Sequence, residues 1–436
     1  MTAVCVGRRL AGTGARVVLL DGAKKVGVKI LVAGGGRCNV THHAVDAQQY
    51  AGGSRNTIGK VLRRFDVAQT VAFFAGLGVE LKCEETGKLF PVSDRAQTVL
   101  DALLGEVRRC GVELVHPWRV GAVEASPDGG FVVGRAGTDE AFDAARVVLA
   151  TGGMALPKSG SDGGGYPLAR RLGHTLTERC IPALVPLVTG ERSRWLTGLS
   201  GISARVSVEV RSGQGKRLAR FENDLLCTHF GLSGPAVMDA SRWLTEARGR
   251  DPGASLHVGW LIGESFGSVD EALRGLGATR VLTWVRERLA DRLARSLCTA
   301  HGVDPMQPGA QLTKDARRAL AHALVEMPVE ITRDRGFAHA EATAGGVLLP
   351  EIDPGTMRSR RCEGLWLVGE ILDVDGRIGG FNFQWAWSTG AIAGASIVAD
   401  LESEESLRGE SRADCAGSCP HAKKYPPGDS NPEPAD

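Results

Sequence analysis

Three short apolar runs, far apart in the sequence, constrain the fold more than any other feature. They are residues 15–21 (ARVVLLD), 145–151 (ARVVLAT) and 364–369 (GLWLVG). Continuous runs of β-branched and large apolar side chains are typical of strands buried in a parallel sheet. Each run ends in an acid or in glycines. We therefore predict an α/β fold in which the strand ends face a ligand.

Glycine is the one unusual component of the composition. The chain has 58 glycines in 436 residues, well above the ~7% background. They form clusters rather than a strict repeat, and a collagen-like structure is therefore excluded. Bare backbone lets a chain approach a ligand closely, so these clusters predict ligand-facing loops. The clusters lie at 34–36, 152–153, 163–165, 345–346 and 379–380.

The order of predicted elements indicates a domain inserted into the α/β fold. Residues 203–223 alternate apolar and polar residues, which predicts a hairpin with its turn at 212–215. Residues 268–326 are helix-rich. Other helices are predicted near 2–11, 57–77, 94–110 and 384–402, and other strands near 112–116, 119–125 and 130–135.

Composition limits the classes of function. The formal net charge of +2 does not indicate a surface that binds nucleic acid. The sequence contains no run of 18 apolar residues, and we therefore predict no membrane-spanning helix. Ten cysteines without disulfide spacing favour a reducing cytoplasm. Cys415, Cys419 and His421 resemble a partial metal site. They lie in a tail rich in proline and charge, which we predict to be disordered, with no metal.

Asp21 stands where a dinucleotide-binding unit places the carboxylate for ribose hydroxyls. Asp also favours turns, so a purely structural role is an equal alternative. The Gly-rich phosphate loop should lie ~20 residues earlier, and Met1 is 20 residues before Asp21. Gly12 and Gly14 precede a strand instead of following one, so they do not supply that loop.

The stretch 31–41 (LVAGGGRCNVT) combines bare backbone with polar donors. Arg37 could bind a phosphate or carboxylate with its forked guanidinium, and Asn39 and Thr41 could cap a turn or bond to a ring. A tight structural loop is the alternative. Cys38 has His43 at the position where a C-x4-C redox pair would need its second cysteine. We therefore expect Cys38 to be a packed residue or a neighbour of a cofactor.

Residues 369–382 (GEILDVDGRIGGFN) follow a strand and precede a helix. A carboxylate in such a loop can orient a polyol, and the helix N-terminus can lie near an electron-rich ring. A calcium loop is the alternative, but the EF-hand spacing with Glu at position twelve is absent. The pair Gly152 and Gly153 adds another close approach of backbone.

Several motifs in fixed order resemble a known family. They are LVAGGGRCNVTH, ATGGMALPKSGSDGGGYPLARRLGH with PALVPL, THFGLSGPAVM, ATAGGV and LVGEILDVDGRIGGFNFQWAWSTGAIAG. Over roughly residues 1–400 the chain resembles the bacterial aminoacetone oxidase-like FAD-binding flavoproteins, also described as 3-dehydro-bile acid reductases. The resemblance implies a discontinuous Rossmann-like FAD domain of glutathione-reductase type, with an inserted β-barrel-like and helical domain.

The resemblance also implies domains and site residues. The FAD domain would comprise 1–185 and 336–402, the insertion 186–335, and the disordered tail 403–436. Asp21 would bind ribose, Val120 would lie near adenine, and Asp373 would hold the ribityl or phosphate region. The flavin would be lined by Lys29, Gly34, Gly35, Gly36, Arg37, Cys38, Asn39 and Thr41, and the remaining cofactor contacts would be Gly152, Gly153, Gly369, Gly379, Gly380 and Asn382.

The family pattern begins with a strand and G-x-G-x-x-G, and this sequence begins just past that turn. The expectation is either a misassigned start or a truncated chain with weak FAD binding. The implied activity is hydride transfer between FAD and a small or hydrophobic substrate, with NAD(P)H a possible donor. A flavoprotein acting on RNA is the other alternative. The oligomeric state and the catalytic acid or base stay open; candidates by chemistry alone are His174, His229, His301 and His339.

Overall fold

The computed structural model of the chain describes residues 1–13, 15–127 and 129–417, with side chains described as far as residue 403. Its helices are α1 Thr2–Leu10, α2 Val28–Gly36, α3 Arg55–Arg64, α4 Val67–Ala75, α5 Ala96–Arg109, α6 Gly165–Arg171, α7 Pro235–Arg250, α8 Phe266–Arg274, α9 Val281–Arg286, α10 Asp291–Ala300, α11 Lys314–Glu326 and α12 Phe381–Gly417.

The strands are short, and most have three to six residues. They are β1 Val18–Leu20, β2 Thr41–His42, β3 Tyr50–Gly52, β4 Leu81–Cys83, β5 Lys88–Pro91, β6 Glu113–Val115, β7 Val120–Ala125, β8 Phe131–Arg135, β9 Ala141–Ala144, β10 Val147–Leu149, β11 Ile181–Ala183, β12 Leu187–Thr189, β13 Ser203–Arg211, β14 Arg217–Thr228, β15 Gly231–Ser233, β16 Ser255–Gly259, β17 Met327–Val329, β18 Ile331–Asp334, β19 Ala342–Ala344, β20 Leu365–Leu367 and β21 Val374–Gly376.

The three runs predicted as buried parallel strands form β1, β10 and β20, of which β20 is buried and β1 only half-buried. β1 pairs in parallel with β6, and β10 pairs in parallel with β20. Because β10 and β20 are far apart in sequence, the Rossmann-type part is assembled from both ends of the chain. Its core includes the fully buried Trp366 and Trp385. The predicted α/β, discontinuous fold is confirmed.

The intervening sequence forms a second unit around a seven-stranded sheet in the order β17-β16-β13-β14-β15-β12-β18. The strands β17 and β18 lie at opposite ends of this order, yet only Glu330 separates them in sequence. The sheet therefore curls until its two edges come close, as in a barrel. Side chains from the sheet and from α7 to α11 share one apolar core. The predicted hairpin is β13 and β14, joined at residues 212–216.

Two predicted elements differ from the structure near the first glycine run. The helix expected at 57–77 is two helices, because Asp66 begins α4 with a capping box: its carboxylate accepts the Gln69 N–H at 2.9 Å. The glycine stretch is not a free loop but the irregular end of α2. Within that end, Ala33 is extended and Gly34 has φ 58°.

The tail also differs from the prediction. We expected disorder from residue 403, but α12 continues to Gly417. The sequence 401–417 is rich in Leu, Glu, Arg and Ala, which are strong helix formers, and it extends a helix already anchored by packing. Residues 418–436, with Cys419 and His421, lie outside the described residues. Within those described, no cluster of metal-ligating side chains and no helix able to cross a membrane is present.

Candidate functional site

The first glycine segment, residues 31–41, contacts the last glycine segment, residues 369–382. A Cβ built on Gly380, whose φ is +95°, would lie 2.6 Å from the carbonyl carbon of Thr41, so only glycine fits there. Thr41 is buried, and its Oγ1 donates to Gln384 Oε1 at 2.6 Å. Trp387 Nε1 donates to the Val40 carbonyl at 2.9 Å. The start of α12 is therefore packed directly on the segment after the first glycine run.

The first glycine run presents bare backbone. Gly34, Gly35 and Gly36 have φ values of 58°, 69° and 88°, in the left-handed region. A side chain on Gly34 would meet Phe90 and Asn39, whereas one on Gly35 would meet nothing within 4 Å. The run is exposed, so its backbone groups are accessible on one side, while Gly34 packs closely against Phe90 and Asn39 on the other.

A second group of polar side chains gathers where β10 and β20 end. The Lys29 ammonium contacts a Glu370 carboxylate oxygen and lies 3.5 Å from Ser161 Oγ. The Thr343 N–H donates to the other Glu370 oxygen at 2.8 Å. Gly152 adjoins both: its added Cβ would lie 2.8 Å from Ser161 Oγ and 4.0 Å from Glu370 Oε2.

Thr343 also fixes the turn that follows β10. Its Oγ1 accepts the N–H of Met154 at 2.8 Å and that of Ala155 at 3.1 Å. A Cβ on Gly153 would lie 2.5 Å from that oxygen. Gly369, which follows β20, has φ +74°, in the left-handed region that favours glycine. Close packing therefore requires glycine at 153, and backbone conformation favours it at 369.

Asp21 lies at the end of β1. Its Oδ1 accepts the Ala23 N–H at 2.8 Å, and its carbonyl accepts the Trp118 N–H at 2.8 Å. A Cβ on Gly160 would lie 3.7 Å from Ala23, so the Asp21 turn is continuous with the loop that carries Ser161. Val120 opens β7 opposite Arg135.

Two predicted cofactor contacts have other partners. The Arg37 guanidinium lies 2.6 Å from Glu84 and 3.6 Å from Asp94, and it stacks over Phe90 at 4.0 Å. Its charge is therefore partly compensated within the protein, and its role toward the cofactor stays a prediction. The Asn382 carboxamide bonds to both the N–H and the carbonyl of Gly376, at 2.8 and 3.0 Å, which fixes the loop shape.

Cys38 is fully buried, with φ 62°. Burial raises the pKa of its thiol to about 12. The side chain is therefore a neutral thiol at physiological pH, which is unsuited to a redox nucleophile. It packs with Val40 and Phe74 beneath the glycine run.

The acidic side chains of the last glycine segment, residues 369–382, lie in different environments. Asp373 lies against Gly52, and burial raises its pKa. Asp375 is buried beside Arg242 of α7, with 3.1 Å between Oδ2 and Nε, and burial raises its pKa to about 7. Glu370 alone joins the group around Lys29. We predicted Asp373 as a cofactor contact and did not predict Glu370; the signal for Glu370 is that it directly follows the glycine after a buried strand.

A buried carboxylate joins the inserted unit to the last glycine segment, residues 369–382. Asp239 of α7 accepts the Arg377 Nε–H at 2.9 Å and the Ile378 N–H at 2.8 Å. The insertion therefore packs against residues 377–378. His42 and Lys88, which we did not predict, lie beside this loop: each would be 3.7 Å from a Cβ on Gly379.

The histidines proposed by chemistry alone occupy ordinary positions. His174 is buried, with Nδ1 3.0 Å from Glu351 and Nε2 2.8 Å from Ser359 Oγ. The Ser359 oxygen also accepts two backbone N–H groups, so this trio is a structural network. His301 Nδ1 bonds to a helix carbonyl. His229 and His339 are exposed.

Comparison with known proteins identifies relatives over most of the chain. A family model described as the HI0933-like protein Rossmann domain matches residues 1–396. The chain is 34% identical over 391 residues to 3-dehydro-bile acid delta(4,6)-reductase of Clostridium scindens, covering 88% of this chain and 93% of the relative. It is 29% identical over 395 residues to ribosomal RNA dihydrouridine synthase of Haemophilus influenzae, covering 89% and 94%.

Among solved structures, 3-ketosteroid delta1-dehydrogenase from Sterolibacterium denitrificans is similar with a TM-score of 0.48 and 13% identity, over 91% of this chain and 97% of that one. This likeness is too distant to inform function. The family model and the relatives, by contrast, cover nearly all of the described residues. The chain belongs to the HI0933-like family, with a Rossmann-type fold, and is an FAD-dependent oxidoreductase.

Proposed function

We propose that this enzyme reduces a carbon–carbon double bond conjugated with a carbonyl group in a hydrophobic small molecule. The observation that carries the proposal is the meeting of two distant glycine segments beside one polar cluster and beside the contact between the insertion and residues 377–378. FAD would be held by residues 1–185 and 336–402, and the substrate would be covered by 186–335. When bound, the flavin supplies hydride chemistry.

The residues at this site fit FAD. The carboxamide oxygen of Asn39 is buried without a hydrogen-bond partner among the described residues, and it lies in the glycine segment where a polar ring edge could satisfy it. Exposed backbone at Gly35 provides the close approach. Asp21, at the end of β1, would bind ribose hydroxyls, and Glu370, which contacts Lys29, would accept hydroxyl hydrogens from a polyol.

The names of the two relatives suggest the reaction. A delta(4,6)-reductase of a 3-dehydro bile acid removes double bonds conjugated with a ketone, and a dihydrouridine synthase saturates a pyrimidine bond conjugated with a carbonyl. Both reactions add a hydride and a proton to an activated double bond. We infer the same reaction class here, with a steroid-like enone as substrate and NAD(P)H as reductant.

We keep the cytoplasm as the proposed location. The eight cysteines with described side chains are all unpaired, as in a reducing compartment.

Ribosomal RNA is the second candidate substrate, because an Escherichia coli dihydrouridine synthase is also 30% identical over 89% of the chain. The net charge of +2 favours the small molecule. RNA recognition would require affinity that falls steeply with salt.

The test uses purified full-length chain with added FAD. We expect a flavin band near ~450 nm, bleaching by NAD(P)H, and reoxidation by a 3-oxo-4,6-diene steroid under argon. Reoxidation by an rRNA fragment alone would favour the RNA candidate. Flavin reduction by aminoacetone, with neither acceptor active, would favour an oxidase. Absence of bound flavin would contradict the proposal.

A further inference from the structure

We propose that Glu341 is the general acid of this enzyme, donating the proton that accompanies hydride addition to the substrate double bond. The inference rests on the proposed function and deepens it. The Glu341 carboxyl forms no hydrogen bond or ion pair within the part of the chain that the structure describes.

The position of Glu341 follows from the strand it precedes. Its N–H donates to the Leu184 carbonyl at 3.1 Å, so the antiparallel pairing of β19 with β11 extends to this residue. Side chains alternate along an extended chain, and residues 341 and 343 therefore leave it on the same side. The Thr343 hydroxyl faces the turn at Gly153, and Gly152 of that turn adjoins Ser161 and Glu370. Glu341 therefore leaves the strand on the side of this turn.

The surroundings of Glu341 suit a proton donor. The side chain is solvent-accessible, yet burial by the protein around it raises the pKa of its carboxyl. Lys88 partly offsets that rise, Asp239 adds to it, and Lys29 offsets it further. The carboxyl is therefore held protonated at higher pH than an ordinary Glu, and the two ammonium groups stabilise the carboxylate left after transfer.

Lys88 is the charged group with the largest electrostatic effect on Glu341. It is half-buried on β5, and no ion pair to its ammonium is formed by the described residues. Its Cε would lie 3.7 Å from a Cβ on Gly379. A free cation there can stabilise negative charge that develops on a substrate carbonyl oxygen.

Two other acidic side chains, Asp239 and Tyr166, are excluded as the proton donor. Both Asp239 oxygens accept hydrogen bonds, from Arg377 and from the Ile378 N–H. The Tyr166 hydroxyl is buried, and burial raises its pKa well above the ordinary value, so it is kept from the water needed to restore its proton. Glu341 combines an unused carboxyl with solvent access.

The proposed step balances. The π bond of the substrate breaks and two C–H bonds form. One hydrogen would come with its electron pair from reduced FAD, which would thereby be oxidised, and the Glu341 O–H would provide the other as a proton. Water then reprotonates the Glu341 carboxylate.

The test compares Glu341→Gln with Glu341→Asp and with Glu271→Gln, an exposed carboxylate on α8. Rapid mixing separates flavin reduction by dithionite from reoxidation by the dienone steroid. We expect Glu341→Gln to leave reduction and FAD content unchanged and to slow reoxidation about 100-fold or more. Glu341→Asp should retain more of the rate, and Glu271→Gln all of it.

A spectroscopic readout needs no turnover. The visible spectrum of bound oxidised flavin should titrate with pH in the wild type, through a group above the ordinary carboxyl range, and Glu341→Gln should abolish that titration. Wild-type reoxidation rates or an unchanged titration in Glu341→Gln would overturn the inference alone. A wild type that binds flavin but reduces no acceptor would instead overturn the proposed function.

Discussion

At the scale of residues, the choice between two carboxylates decides where a polyol can bind. Glu370 and Asp373 are three residues apart, but only Glu370 contacts Lys29. Asp373 lies against Gly52. An acid paired with a half-buried lysine is held in one orientation, and its ionised form makes the stronger hydrogen bonds to hydroxyls.

Replacing Glu370 by Gln should weaken FAD binding more than replacing Asp373 by Asn. Hydrogen bonds to charged groups contribute about 1.5–3 kcal/mol, so Glu370→Gln should raise the FAD dissociation constant about tenfold or more. Asp373→Asn should change it less than about threefold. Titration of the flavin-free protein by FAD fluorescence measures both, and thermal unfolding controls for folding. Equal effects would restore Asp373 as the cofactor acid.

Residue types in the sequence predicted which segments form this site, but not which side chains face it. Asp21 and the glycines were identifiable from strand ends and backbone demands. The ion pairs of Arg37 could not be predicted from the sequence, because its partners Glu84 and Asp94 come from the β4–β5 region and the turn after it. Ser161 and Thr343 carried no local signal at all; only the pairing of distant strands brings them to Glu370 and Gly153.

At the scale of elements, the contact between α12 and the first glycine segment holds the two ends of the site together. Strands and helices were predicted well where periodicity was continuous. The break between α3 and α4 was missed, although Asp66 and Gln69 have the spacing of a capping box. The pairing of β10 with β20 was beyond local pattern, since register between remote strands depends on tertiary packing.

The glycine at position 380 tests that contact. Gly380→Ala adds a methyl 2.6 Å from the Thr41 backbone at φ +95°, whereas Gly302→Ala adds one at φ +73° with nothing within 4 Å. Both carry the left-handed penalty of about 1–2 kcal/mol, and overpacking should cost Gly380→Ala a further 1–3 kcal/mol, roughly. Thermal unfolding and FAD affinity should both fall more for Gly380→Ala. Matching losses in the two variants would disprove the close contact.

At the scale of the whole molecule, two apolar cores meet across polar links. The Asp239–Arg377 pair joins the insertion to the loop before α12, while Glu106 of α5 joins Arg8 of α1 and Arg109. Glu351 bonds to His174 and Arg361. The Rossmann-type part, assembled from remote segments, thus depends on buried carboxylates whose charge must persist for the segments to stay together.

Those carboxylates predict how stability changes with acid. Hydrogen bonds from Arg109, with Arg8, lower the pKa of Glu106 to about 2. Because the unfolded chain then binds more protons below its ordinary value of 4.5, stability is complete above about pH 5 and decreases as pH falls toward 2. Because both arginines are partly exposed, solvent screens these interactions, and we expect them to contribute about 1 kcal/mol to the free energy of unfolding.

Urea unfolding between pH 3 and 7 measures this dependence, with Glu106→Gln compared with Glu113→Gln, which removes only an exposed ion pair to Arg16. Glu106→Gln should be less stable than wild type at pH 7 but should lose less stability on acidification, so that the two curves converge. Glu113→Gln should keep the wild-type slope, because its partner is solvated and the pair contributes little. If Glu106→Gln instead runs parallel to the wild type at every pH, the link between α1 and α5 does not depend on this charge.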